Sequence, residues 1–202
     1  MSDSPTDNFA TLNPLTAFGS GSFSSGSPSG TNSLQDGNLS CTGGASQRSL
    51  AWAATIGATS GKYYCEITIT SHQYVQVGVG STDTWWQTYG IGGSSRAQLY
   101  GDGVVSWDAG GGNIFYINST SSTSGAITAT AGDVLQIAFD ADTRKVWFGR
   151  NNTWLSDGNP SAGTNEIGTV SGSDPLTFLV RPEGTTAVCN FGQQPFKYGP
   201  PE

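Results

Sequence analysis

From Ser33 onward, apolar and polar positions alternate with a period of two, in short runs broken by Gly, Asn and Asp. In KYYCEITIT, Tyr63, Cys65, Ile67 and Ile69 share one face, and Lys62, Tyr64, Glu66 and Thr68 share the other. The first set is the expected core face. YVQVGVG repeats the pattern with Val75, Val77 and Val79 inward. The stretch from Gly132 to Asn152 reads as two strands joined by the turn DADT, because Asp side chains bond nearby backbone amides. Its first strand alternates Leu135, Ile137 and Phe139 with Val134, Gln136, Ala138 and Asp140; its second runs from Lys145 to Arg150, and Asn151-Asn152 closes it. SLQDGNLSC predicts a hairpin with Asp36-Gly37 at the turn. Further strands are predicted in SLAWAATI, AQLYGDGVVSWDAGG, NIFYIN, PLTFLVRP and TAVCNFG, and Arg181-Pro182 is expected to end one, since Pro cannot donate to a ladder. No sustained helical period appears. The pattern predicts an all-β fold, a two-sheet antiparallel β-sandwich.

The front of the chain reads differently. Phe9, Leu12 and Leu15 are spaced by three, but Pro14 interrupts any helical turn. An extended arm that docks Phe9 and Leu12 on the domain edge is expected, followed by a Gly/Ser-rich stretch over 17–33. The expected organisation is arm 1–33, sandwich 34–198 and exposed tail 199–202.

Composition narrows the function classes. At 202 residues the chain suits one β domain with a real core. Charged residues make up 11%, against about 25% in ordinary globular proteins, and Gly numbers 29. This suits a turn-rich secreted or virion-surface protein. The net charge of −7, with Lys and Arg scattered, argues against nucleic acid. MSDSPTDN has neither a basic start nor an apolar core, and no apolar run is long enough to span a bilayer. A soluble chain made in a cytoplasm, with no membrane insertion, is expected.

Catalytic patterns are missing. His72 is the single histidine, with no nucleophile elbow. Cys41, Cys65 and Cys189 have no metal-ligand spacing and read as buried thiols; a Cys65–Cys189 disulfide would require those strands to be neighbours at bridging distance. Of the nearest carboxylate pairs, Asp140 with Asp142 has a plain turn role, while Asp102 with Asp108 could serve a glycosidase site, although turn chemistry at GDG explains Asp102. The expectation is no enzyme, no cofactor and no metal. Exposed loop aromatics carry more promise. Adjacent Trp85 and Trp86 cannot both point inward from one strand, and Tyr89 follows. Tyr100 beside Asp102, and Trp107 beside Asp108, make aromatic–acid pairs.

Three blocks in order carry a family resemblance: Gly61-Lys62-Tyr63-Tyr64-Cys65-Glu66, then Gly132-Asp133-Val134 through Asn151, then Asn190-Phe191-Gly192 with Pro195-Phe196. Together, over roughly residues 50–198, they resemble the SPRY (B30.2-like) domain, a concanavalin-like jelly roll. Cys65 stands where that family usually has Trp, and Asn152 where it more often has Gly. DNFATLNPL, DGNLS and ATIGATSGKYY are similar to SPRY modules of bacteriophage structural proteins. The resemblance implies a ligand face built from loops at one end of the sandwich, here Trp85, Trp86, Tyr89, Tyr100, Asp102 and Trp107, with Arg150 and Trp154 ranked lower. It implies a non-enzymatic virion protein in the tail, fibre, baseplate or head decoration, binding other virion proteins, a host-surface receptor or a glycan. Phage adhesins are often trimers, so a homo-oligomer is compatible, although no heptads support one. The alternatives are an intracellular adaptor that binds a peptide segment of a partner, and a carbohydrate-binding or carbohydrate-active sandwich.

Overall fold

The computed structural model describes residues 8–16, 32–44, 50–82, 98–110, 114–123 and 127–201. In chain order the strands are β1 (Ser33–Gln35), β2 (Ser40–Thr42), β3 (Trp52–Ala53), β4 (Lys62–Ser71), β5 (Tyr74–Ser81), β6 (Val104–Asp108), β7 (Ile114–Ile117) and β8 (Thr120–Thr123). They continue as β9 (Val134–Asp140), β10 (Lys145–Arg150), β11 (Thr153–Trp154), β12 (Gly168–Thr169), β13 (Leu176–Glu183) and β14 (Thr186–Asn190). An eight-stranded sheet has the order β1-β2-β14-β4-β9-β10-β11, with β12 beside β10. A six-stranded sheet has the order β3-β13-β5-β6-β7-β8. The described pairings within both sheets are antiparallel.

The core lies between the sheets and is built by the alternation. The eight-stranded sheet contributes Cys65, Ile67, Ile69, Leu135, Ile137 and Phe148, and the other sheet contributes Val75, Val77, Val79, Val105, Trp107 and Leu176. Trp107 packs against Phe115 and Phe148, with ring centroids 6.5 and 6.2 Å away. Cys41, Cys65 and Cys189 are buried free thiols. Strands β4 and β14 are neighbours, yet Cys189 lies opposite Ile67 and Cys65 opposite Ile137. A hydrogen bond with Cys41, then burial, pushes the Cys189 thiol up, and burial does the same to Cys65.

The turns explain the motif residues. Asp36 and Gly37 have φ of 53° and 66° at the β1–β2 turn, as the sequence predicts. Asp140 accepts bonds from the Asp142 and Thr143 amides, closing the β9–β10 turn. Asn151 and Asn152, with φ of 49° and 65°, join β10 to β11 in two residues. Such a turn needs φ > 0 at both positions, and Asn tolerates that region well enough to stand in for Gly. Asp133 and Asn151 clamp the far end of the same hairpin, the Asn151 amide donating to Asp133 at 2.6 Å and its oxygen accepting from Val134.

Two expectations are corrected here. Strand β13 runs through Arg181 and Pro182, which pairs with Val75, instead of ending there. β3 pairs with β13 only at Leu179 and Val180, so beyond that point one edge of β13 is free of a ladder and tolerates a proline. The arm is not wholly extended: Leu12 bridges Ala54, and Pro14–Thr16 then forms a 3-10 turn, with Pro at its permitted first position.

Candidate binding site

The outer face of the eight-stranded sheet carries a trough. Across three adjacent strands, Tyr64 pairs with Ala138 and Ala138 with Trp147, so two aromatic side chains flank a methyl group. The next row holds Lys62, Asp140 and Lys145. Pro160 and Ser161 on one side, and Pro200 and Pro201 of the tail on the other, turn the trough into a cleft of about 160 Å³. The Trp147 indole donates to the Thr164 carbonyl at 2.8 Å, which fixes that wall to its covering loop.

Tyr64 is held from several directions. Its ring meets Phe196 and Trp154 edge-on, with centroids 4.9 and 6.4 Å away. Its hydroxyl donates to Glu66 at 2.8 Å and accepts from Gln136 at 3.0 Å. Burial pushes that hydroxyl far above its ordinary range, so it stays a donor. Glu66 is 3% exposed and also accepts the Lys197 and Tyr198 backbone amides at 2.7 and 2.8 Å. The tail is thereby strapped across the sheet. Asn190 starts the strap by accepting from the Gly192 amide and donating to the Gln194 carbonyl. Gly192 needs its φ of +107°, and a Cβ there would lie 3.1 Å from the Phe9 ring.

A second cleft of about 210 Å³ opens beside the arm, lined by Phe9, Ile56, Phe178 and Phe191 among others. It shares Tyr63, Tyr64 and Phe139 with the first. Tyr63 stacks on Phe139 at 5.1 Å and is still 38% exposed. The exposed Tyr63 ring thus stands where the two clefts share a lining.

The residues expected from the sequence fall elsewhere. Trp107 is 1% exposed, so it is a core residue and not part of a ligand surface; alternation in β6 turns it inward with Val105. Tyr100 and Asp102 are brought together through Ser119, whose carbonyl accepts from the Tyr100 hydroxyl and whose own hydroxyl donates to Asp102 at 2.8 Å. Arg150 donates to the Thr128 carbonyl and pairs with Asp133 at 3.0 Å, a structural role at the end of β10. Trp154 is half-buried against Tyr64. Leu12 docks as expected, 1% exposed, while Phe9 keeps 41% exposure at the rim of the second cleft. Trp85, Trp86 and Tyr89 lie outside the described residues. Sequence reasoning missed this cleft, whose outer-face positions Ala138 and Trp147 are 4% and 2% exposed, while Tyr64 is half-buried.

No family model matches the sequence. Solved structures do match the fold. The SPRY domain of human HERC1 aligns with a TM-score of 0.61 at 18% identity, over 91% of this chain and 99% of that one. The fold is that of a SPRY domain. The TRIM65 PSpry domain aligns at 0.62 and 12% identity over 91% and 90% of the two chains. A human SPRY domain aligns at 0.55 and 15% over 80% and 96%.

Proposed function

We propose that this SPRY-type domain is a binding module without enzymatic activity, and that it engages a segment of a partner protein at the paired clefts around Tyr63. The exposed Tyr63 ring between two apolar clefts carries this reading. Such a surface rewards burial of a partner side chain, at about 25 cal/mol per Å² of apolar area. The SPRY-type fold supports a protein partner. Among the described residues no cluster of His, Cys, Asp and Glu suits a metal. Asp108 is buried under the Tyr74 hydroxyl, which leaves Asp102 without a facing carboxylate of the kind glycoside hydrolysis uses.

The test is selection from a random peptide display library, followed by binding of the selected peptides to the Tyr63→Ala variant. Loss of binding with an unchanged melting temperature is expected. Equal binding to both proteins would reject this surface.

The setting is a further part of the proposal. A bacteriophage particle is favoured by the front-end likeness and by the 11% charge content. An intracellular adaptor fits the likeness to the HERC1 and TRIM65 domains as well. Fractionation of purified particles, if the chain derives from a phage, separates the two: the protein either copurifies with particles or stays in the cell extract.

A further inference from the structure

The cleft beside the arm is an open end of the core. Tyr63 of β4 and Phe139 of β9 are cross-strand partners, and Phe178 of β13 meets them from the opposite sheet, its ring 5.0 Å from Phe139. Between the sheets at this point lies a cleft of about 210 Å³. Its two rims keep ring area in solvent: Phe9 on the arm is 41% exposed and Tyr63 38%. Tyr63 stacks on Phe139 through one face, so its exposed area belongs to its other face and its edge. The outer-face cleft lacks such area, since Ala138 and Trp147 are 4% and 2% exposed.

The lining selects by charge and by size. No described residue that lines this cleft carries a charged side chain. The Tyr64 hydroxyl is already taken by Glu66 and Gln136. A charged group placed inside would therefore go unpaired, which is costly in apolar surroundings. An apolar cavity of roughly 150 Å³ accommodates a benzene-sized group, so this one takes a single Leu, Met or Phe side chain. An alanine would leave most of it unfilled.

Charge enters just outside the mouth. Asp142 is exposed in the β9–β10 turn and accepts the Gly61 amide through one oxygen at 3.0 Å. Gly61 adjoins the rim, because a Cβ there would lie 3.6 Å from the Tyr63 ring. Asp142 makes no ion pair among the described residues. Alternation along β4 puts Lys62 on the face opposite Tyr63. The whole chain carries −7, which favours a basic partner. In an extended segment, residues i and i+2 share a face about 7 Å apart, so a basic side chain two residues from the anchor can cross the Tyr63 ring toward Asp142.

Resting on the binding-module reading above, we infer that the mouth between Phe9 and Tyr63 takes one large apolar side chain of an extended partner segment, with a lysine or arginine two residues away that lies over the Tyr63 ring and meets Asp142.

The experiment is a heteronuclear NMR titration of the full chain with a short Ser/Thr peptide carrying one leucine and, two residues later, one lysine. Three peptides of matched length serve as comparisons: the same peptide with alanine for leucine, the same with glutamate for lysine, and an amphipathic helix former. The expected result is saturable shifts of the Ile56 and Ala58 methyl groups and of the Tyr63 amide with the leucine–lysine peptide. The alanine peptide should bind at least about tenfold more weakly, because about three buried carbons are lost. The glutamate peptide should bind about threefold more weakly at low salt, and that difference should vanish in Asp142→Asn. Asn8→Trp, which fills the cleft from an exposed rim position, should weaken the leucine–lysine peptide at least about tenfold. Retained amide spectra show that both variants fold. Equal affinity for the leucine and alanine peptides, or unchanged affinity in Asn8→Trp, would overturn the apolar anchor. Equal affinity for the lysine and glutamate peptides would overturn the basic residue. Tighter binding of the helix former would overturn the extended segment. All three outcomes would leave the binding-module reading standing. No shift with any of the four peptides would overturn the inference as a whole. The binding-module reading would then fall only if the display-selected peptides also ignored Tyr63.

Discussion

Replacing Glu66 with Gln should loosen the tail and cost more than a surface change normally would. The carboxylate is 3% exposed and accepts three hydrogen bonds, from the Tyr64 hydroxyl, the Lys197 amide and the Tyr198 amide. Tyr64 and Tyr198 share one oxygen, so a glutamine can keep its carbonyl there. Its NH₂ must then face the Lys197 N–H, donor against donor. Hydrogen bonds to a charged group are worth about 1.5–3 kcal/mol each, so losing one outright and weakening two to neutral strength totals about 3–5 kcal/mol. Peeling of the tail lets water solvate the orphaned amide, which limits the net loss to about 2–4 kcal/mol. For a domain of this size that is roughly 5–15 °C in melting temperature. Guanidinium unfolding measures the global cost. Hydrogen exchange at Lys197 and Tyr198 measures the local one, and both amides should lose protection before the strands do. A global loss below about 0.5 kcal/mol together with unchanged protection at those two amides would refute the clamp.

Other substitutions test other parts of the account. Trp107→Ala should cost about 3–5 kcal/mol in chemical denaturation, because it empties a site packed by Phe115 and Phe148; a near-neutral result would return Trp107 to the surface. Gly43→Ala should destabilise by about 3 kcal/mol, since its Cβ would sit 1.9 Å from the Pro182 carbonyl oxygen; a stable variant would mean that the β2 end and β13 pack more loosely. Asp133 gives a pH signature. Burial works against its charge, but bonds from Thr130 and Asn151 and the charge of Arg150 hold its carboxyl below the ordinary 3.8. A depressed folded value means that this stability is present above the unfolded value and is lost as pH falls through the folded one. Acid unfolding below about pH 4 should therefore flatten in Asp133→Asn, and an unchanged acid limb would contradict the assignment.

The strand pattern made the sandwich legible because the period-two faces of β4, β5 and β9 are nearly unmixed: Cys65, Ile67 and Ile69 face Val75, Val77 and Val79 across one core. The same alternation, carried into β6, would have placed Trp107 inward with Val105; its neighbour Asp108 drew attention to a surface role that burial denies. The trough was illegible for another reason. Tyr64, Ala138 and Trp147 are far apart in sequence and meet only through the β4–β9–β10 register. The tail strap was equally hidden, because a carboxylate on the polar face of a strand gives no sign that two backbone amides more than a hundred residues later will close over it.

The most direct measurement of the central claim is hydrogen exchange of the full chain with and without a peptide taken from an unbiased display selection. Protection concentrated at residues 62–66, 138–140 and 160–161 is the predicted result. Protection confined to the Tyr100, Asp102 and Ser119 loops, with the trough unchanged, would contradict it.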